Sequence, residues 1–164
     1  MDSSNGTINV VFVGVGGQGV VTVSDIFAEV AFQAGFDVKK SELHGMSQRG
    51  GLVTSDVRYG RTVYSPMVPA GQADFLVAID PAQGENNRGR LRAGGRLVSA
   101  AVIDAARLAN ARSMNVAVLG AFSTVLDFTE EQWLAAIKAR LPAKLHEANV
   151  QAFQVGRAAA KPQS

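Results

Sequence analysis

A six-residue glycine turn, Gly14-Val15-Gly16-Gly17-Gln18-Gly19, constrains this chain more than any other stretch. Before it, Ile8-Asn9-Val10-Val11-Phe12-Val13 is a short, β-branched apolar run that reads as a buried strand. After it, Val20, Val23, Ile26, Phe27, Val30, Ala31 and Ala34 recur at helical spacing, and Gly35 supplies a stop. Strand, glycine turn and helix in that order predict the first unit of an α/β sheet. Glycine permits positive φ and close approach of another group to the backbone. The helix start leaves N–H groups unpaired and carries partial positive charge, which suits an anion. Gly14, Gly16 and Gly19 match GxGxxG by spacing. Two readings stay open: the turn packs a tight strand-to-helix connection, or it binds a dinucleotide. A dinucleotide also requires an acidic residue about 20 residues on, to hold the ribose. Glu42 falls near that place.

Glu42 runs straight into His44-Gly45-Met46-Ser47-Gln48-Arg49-Gly50-Gly51, which an ordinary dinucleotide fold does not require. This loop gathers an imidazole, a thioether, a hydroxyl, an amide and a guanidinium among glycines. Ser47, Gln48 and Arg49 can donate hydrogen bonds, His44 can titrate, and Gly50 and Gly51 leave the backbone accessible. Either the loop approaches a ligand, or its polar side chains bond their own backbone.

What the chain can supply chemically is limited by what it lacks. It has no cysteine, so it forms no disulfide, ligates no iron–sulfur cluster and offers no thiol nucleophile. Its two histidines, His44 and His146, exclude a multi-histidine metal site. A net charge of +2, without basic residues interleaved with aromatics, gives no case for nucleic acid. The densest basic group, Arg88, Arg90, Arg92 and Arg96, reads as a solvated helix-and-turn face, with an anionic ligand as the alternative. At 164 residues with 47% hydrophobic content, residues 1–164 are expected to form one compact α/β domain, loose at 1–6 and 160–164. No run approaches 18 apolar residues, and the polar first residues lack a signal-peptide layout, so a cytoplasmic protein without a membrane span is expected.

Along the chain, a second strand is expected over 37–43 and a third over 52–59. Gly60-Arg61 reads as a two-residue turn into Thr62-Val63-Tyr64, making a β-hairpin and therefore a mixed sheet. A proline-punctuated loop at 65–71 leads to the clearest buried strand, 74–80. Pro81 then begins a helix of about a dozen residues ended by Gly94-Gly95. The run 96–99 returns to the sheet, and a helix is expected over about 104–112. Asn115-Val116-Ala117-Val118-Leu119-Gly120 reads as a short buried segment merging into a helix through Leu126. Thr129-Glu130-Glu131-Gln132 is a capping box before a helix stopped at Pro142. A last helix covers about 143–159, with a narrow apolar face of Leu145, Ala148, Ala152 and Phe153.

Taken together, Gly-Val-Gly-Gly-Gln-Gly-Val, Ser41-Glu42-Leu43-His44-Gly45-Met46-Ser47-Gln48-Arg49-Gly50-Gly51, Tyr64-Ser65-Pro66 and Ala73-Asp74-Phe75 resemble the gamma component of 2-oxoacid:ferredoxin oxidoreductases. The His-Gly-Met-Ser-Gln-Arg-Gly-Gly string is most similar to the indolepyruvate branch, to its small (beta) subunit. Pyruvate-type members tend to carry a Tyr-Gly-Pro-Glu-Met-Arg-Gly-Gly-like loop instead. The resemblance runs from about residue 8 to 158. It implies an α/β, three-layer domain with a mixed, mostly parallel sheet, set within a larger enzyme. That enzyme oxidatively decarboxylates a 2-oxoacid, joins the acyl group to coenzyme A and passes electrons through [4Fe-4S] clusters to ferredoxin or another acceptor.

The resemblance also implies a division of labour. Thiamine diphosphate with magnesium, and the clusters, are expected on large partner chains, and this chain alone is expected to bind no cofactor and to be inert. Cysteines are absent, as is a Gly-Asp-Gly with a downstream Asn for magnesium diphosphate, which agrees with that expectation. Carried over, the residues facing the shared active site are Gly14, Gly16, Gly17, Gln18, Gly19, Ser47, Gln48, Arg49, Gly50 and Gly51, with His44 the candidate catalytic group. Two other readings remain: a free-standing Rossmann-like nucleotide-binding protein, and a non-catalytic regulatory module of the same family.

Overall fold

The computed structural model describes residues 6–45 and 50–161. Expectations for residues 1–5, for Met46, Ser47, Gln48 and Arg49, and for 162–164 lie outside the described residues. At the centre lies β1 (Ile8–Val15), whose Val10, Val11, Phe12 and Val13 are fully buried. A strand covered on both faces must be apolar at consecutive positions, as this one is. The sheet order is β2-β3-β1-β4-β5, with β2 at Asp37–His44, β3 at Leu52–Gly60, β4 at Ala73–Ala78 and β5 at Leu91–Ser99. β4 is parallel to both β1 and β5, while β3 is antiparallel to both β1 and β2. Four strands therefore run one way and β3 the other: the sheet is mixed and mostly parallel in direction.

One face carries the main core. Val10, Phe12, Val57, Tyr59, Phe75 and Val77 point toward α1 (Val20–Gln33), α3 (Met114–Ser123), α4 (Glu130–Arg140) and α5 (His146–Ala160). There Phe27 stacks on Trp133 at 5.9 Å and meets Phe122 edge-on at 5.4 Å, arrangements that suit the ring quadrupole. The opposite face is thinner. Val11, Val13, Leu76 and Ala78 pack with Val68 of the 61–72 loop and lie beneath α2 (Pro81–Asn86). Helices, sheet, and α2 with its loop make the three layers.

Several local expectations are corrected. No hairpin follows Gly60: Thr62-Val63-Tyr64 is not a strand, because both edges of β3 are already taken by β1 and β2. The hairpin is β2–β3 itself. After Pro81 the helix lasts six residues, not a dozen, and Gly94 and Gly95 lie inside β5, where β4 and β5 shift register. In place of a helix over 104–112 there are two 3-10 turns, Ala105–Arg107 and Ala111–Ser113. Asp104 and Asn110 each accept the N–H two residues on, and such local side-chain bonds compete with helix formation. The 115–120 segment is helical throughout α3, apolar on all sides and buried on nearly all of them.

The arginine face is also corrected in part. Arg90 pairs with buried Asp56 at 2.9 Å and Arg92 with buried Asp74 at 2.6 Å. Buried carboxylates need such partners, so these two cations hold the fold rather than face solvent. Arg88 does face solvent, paired with Glu85.

Candidate functional site: a glycine ridge between two clefts

The glycine turn sits at the carboxyl end of β1, beside the end of parallel β4. In open α/β sheets this edge is where ligands gather. Gly17 and Gly19 have φ of 91° and 78°, values that a side chain would strain. Gly14 is needed for another reason. A Cβ there would lie 2.6 Å from Val20 Cγ2 and 2.8 Å from Gln18 Oε1.

Gln18 locks the turn. Its Oε1 accepts the Val15 N–H at 2.8 Å, and its own backbone N–H donates to the Val15 carbonyl at 3.2 Å. Its Nε2 donates to Asp80 Oδ2 at 3.2 Å, while Asp80 Oδ1 accepts the Gln83 N–H to cap α2. One amide thus ties β1, the turn and α2 together. Asn115, at the head of α3, donates from Nδ2 to the Gly19 carbonyl at 3.2 Å. A Cβ at Gly19 would collide with that side chain.

The two motif loops meet. The Gly16 N–H donates to the Gly51 carbonyl at 2.9 Å, and the Gly45 N–H donates to the Leu52 carbonyl at 2.6 Å. The glycine turn therefore touches the far end of the second loop, and Gly50 takes a positive φ of 73° just before it. The intervening Ser47, Gln48 and Arg49 lie outside the described residues. His44 ends β2 opposite Val53, with an exposed ring 3.8 Å from Glu42. Lys40, then His44, holds the Glu42 carboxyl below its ordinary pKa. Glu42, the acid that the ribose reading needs, is thus already paired within its own strand.

Two clefts flank the turn, and Gly17 borders both. One, of about 470 Å³, runs between His44 and the first turn of α1, Val20 to Thr22. Among the described residues no side chain caps that helix start, and no acid occupies its first turn, so its amides and dipole favour an anion. The other, of about 590 Å³, lies between Gln18, Ile79, Arg112, Met114 and Asn115. Arg112 is exposed there; its backbone N–H donates to Asn110 Oδ1, and no hydrogen bond or ion pair of its guanidinium is found among the described residues. Sequence reasoning did not single out Arg112 as part of the site. Its one signal was a polar Arg-Ser-Met-Asn stretch heading an apolar run. Among the described residues no three His, Cys, Asp or Glu side chains cluster as metal ligands.

Fold and site together define a mixed-sheet α/β domain with a glycine ridge at its ligand-facing edge. Residues 9–103 and 98–159 match the family described as pyruvate ferredoxin/flavodoxin oxidoreductase. The chain belongs to that family, and within it resembles the small, gamma-type subunits. It is 32% identical to indolepyruvate oxidoreductase subunit IorB of Thermococcus kodakarensis, over 93% of this chain and 96% of the relative. The fold matches the gamma subunit of a keto/oxoacid ferredoxin oxidoreductase from Geobacter sulfurreducens with a TM-score of 0.79 at 24% identity, covering 94% and 97% of the two chains. It also matches 2-oxoglutarate:ferredoxin oxidoreductase from Magnetococcus marinus, a structure with 2-oxoglutarate, coenzyme A and succinyl-CoA bound. That TM-score is 0.82 at 19% identity, covering 98% of this chain but 32% of the much longer Magnetococcus chain. No helix among the described residues is long and apolar enough to cross a membrane.

Proposed function

We propose that this chain is the small subunit of an indolepyruvate-type 2-oxoacid:ferredoxin oxidoreductase, closing an active site built with larger partner chains. The observation that carries this reading is the junction of the two motif loops through Gly16 and Gly51, beside clefts lined by the first turn of α1 and by Arg112. A 32% identity to an IorB subunit along nearly the whole length of both chains supports the indolepyruvate assignment.

The residues present do not fit thiamine diphosphate with magnesium or an iron–sulfur cluster. Cysteine is absent, and so is a Gly-Asp-Gly with a downstream Asn to hold magnesium diphosphate. Those cofactors are assigned to the partners. What this chain offers is donors: amides at the start of α1, Arg112, and by resemblance Ser47, Gln48 and Arg49. Such groups steady a substrate carboxylate, or a phosphate of coenzyme A as co-substrate, and shield it from water. His44, exposed at the rim of one cleft, is our candidate for moving a proton there.

The test is reconstitution with a large, thiamine- and cluster-bearing subunit of an indolepyruvate-type enzyme, followed by indolepyruvate-dependent dye reduction with and without coenzyme A. Activity is expected only when both chains are present. Turnover by this chain alone, or full turnover by the partner alone, overturns the reading.

A further inference from the structure

The sheet has two open edges, and they are treated differently. β2 is guarded by charge: Lys39 pairs with Asp37, and Lys40 with Asp25 and Glu42. Lysines along an edge are a common device against pairing with another chain. Over its last four residues β5 carries a single charge, Arg96, followed by Leu97, Val98 and Ser99. Arg96, Leu97, Val98 and Ser99 pair with Phe75 to Ala78 of β4 on one side, and no further backbone bond from them is found among the described residues. In a parallel edge strand, about half the backbone N–H and C=O groups then point outward.

A cleft of about 630 Å³ runs along this edge, between β5 and the carboxyl ends of α3 and α5. All four residues 96–99 line it. A cleft over one face of a strand meets alternate residues, whereas consecutive ones line a cleft that follows the edge. Its floor is apolar, with Val125 and the exposed Val102, and its charged lining residues are Arg96, Arg157 and Lys161. Arg157 is held in place: it donates to Ser123 Oγ at 2.9 Å, lies over the Phe153 ring, and stands 3.9 Å from Glu130. Arg96 and Lys161 are exposed, and among the described residues neither has an ion pair.

We propose that β5 accepts an extended acidic segment of the large partner subunit as a sixth strand. The segment's backbone pairs with residues 96–99, alternate apolar side chains rest on Val102 and Val125, and its carboxylates meet Arg96, Arg157 and Lys161. The strand edge and the two exposed cations without an ion pair among the described residues, Arg96 and Lys161, are independent features that fit one occupant. This inference rests on the subunit reading above.

The experiment uses the co-purified complex. Arg96→Glu with Lys161→Glu reverses two exposed charges and leaves Arg157 in place, with native circular dichroism as the control for folding. The double variant is expected to weaken association at least tenfold, and the wild-type complex to lose affinity with added salt more steeply than the variant does. Hydrogen exchange in wild type is expected to slow over 96–99 on complex formation. Unchanged affinity of the double variant, or unchanged exchange across 96–99, overturns the strand-addition proposal while leaving the subunit reading intact. Failure of the wild-type chain to associate with the partner at all overturns the subunit reading instead.

Discussion

At the scale of single residues, the glycine turn owes much of its shape to Gln18, whose amide bonds both Val15 and Asp80. Gln18→Ala removes an acceptor from a backbone N–H and a donor from a carboxylate. A lost hydrogen bond of this kind costs about 1–2 kcal/mol, so the midpoint of urea unfolding should fall with the slope unchanged. Gln18→Glu is expected to be worse near neutral pH, because it sets a second carboxylate against Asp80. His44 and Arg49 should behave differently from Gln18. The His44 ring is exposed and unburdened by packing, so His44→Ala is expected to leave stability unchanged while lowering turnover of the reconstituted enzyme. As a proton-transfer group it would contribute roughly 10²–10⁴-fold. Arg49→Ala is expected to cost about 2–5 kcal/mol of transition-state or partner binding, as loss of a desolvated charge-assisted contact does. If both variants assemble and turn over at the wild-type rate, the second loop is a connector only.

At the scale of elements, α3 packs closely against α5, and two glycines permit it. A Cβ at Gly120 would overlap the Phe153 carbonyl, and one at Gly156 would overlap the Ala117 carbonyl. Exchanging glycine for alanine inside a helix normally gains up to about 1 kcal/mol. Here the obstacle is backbone on the facing helix, which cannot rotate away, and overpacking costs about 1–3 kcal/mol or more. Gly156→Ala should therefore destabilise on balance, read as a lowered melting temperature. A higher one would mean the helices separate readily. The same crossing explains the apolar face expected of the last helix. Ala152 and Phe153 are buried with Gly156, while Leu145 precedes α5 in a 3-10 turn and remains partly exposed.

At the scale of the whole molecule, ion pairs that join distant elements set its response to acid. Glu29 on α1 bonds Gln33 and reaches Arg140 on α4 at 3.0 Å, and these contacts hold its carboxyl below the ordinary value. A pKa lowered in the folded state gives stability that is present above the unfolded pKa and lost as pH falls through the folded one. Unfolding free energy should thus decline below about pH 4.5, and Glu29→Gln should flatten part of that decline in urea titrations across pH 3 to 6. The ligand response of the isolated chain is a second whole-molecule property. Its glycine turn is filled by its own Gln18 and braced by Asn115, and Glu42 is bonded to Lys40. Calorimetry is expected to show at most weak binding of NAD or ATP. Micromolar affinity, about 8 kcal/mol, would require a formed nucleotide pocket and would favour the free-standing alternative.

What the sequence determined by itself is local chemistry: the strand, turn and helix of residues 8–34, the Schellman end at Gly35, the capping box at Thr129, and the two loops that carry the family resemblance. Each depends on bonds between residues a few positions apart, so spacing reveals it. The tertiary structure decided whatever depends on who else is present. β3 has no room for a hairpin after Gly60 because β1 and β2 occupy both its edges. Arg90 and Arg92 turn inward because Asp56 and Asp74 are buried beside them. Asn115 reaches Gly19 across 96 residues, and Arg112 joins the site because the 3-10 turns before α3 carry it to the glycine ridge. No local pattern encodes such meetings, since they are fixed only when the sheet order is.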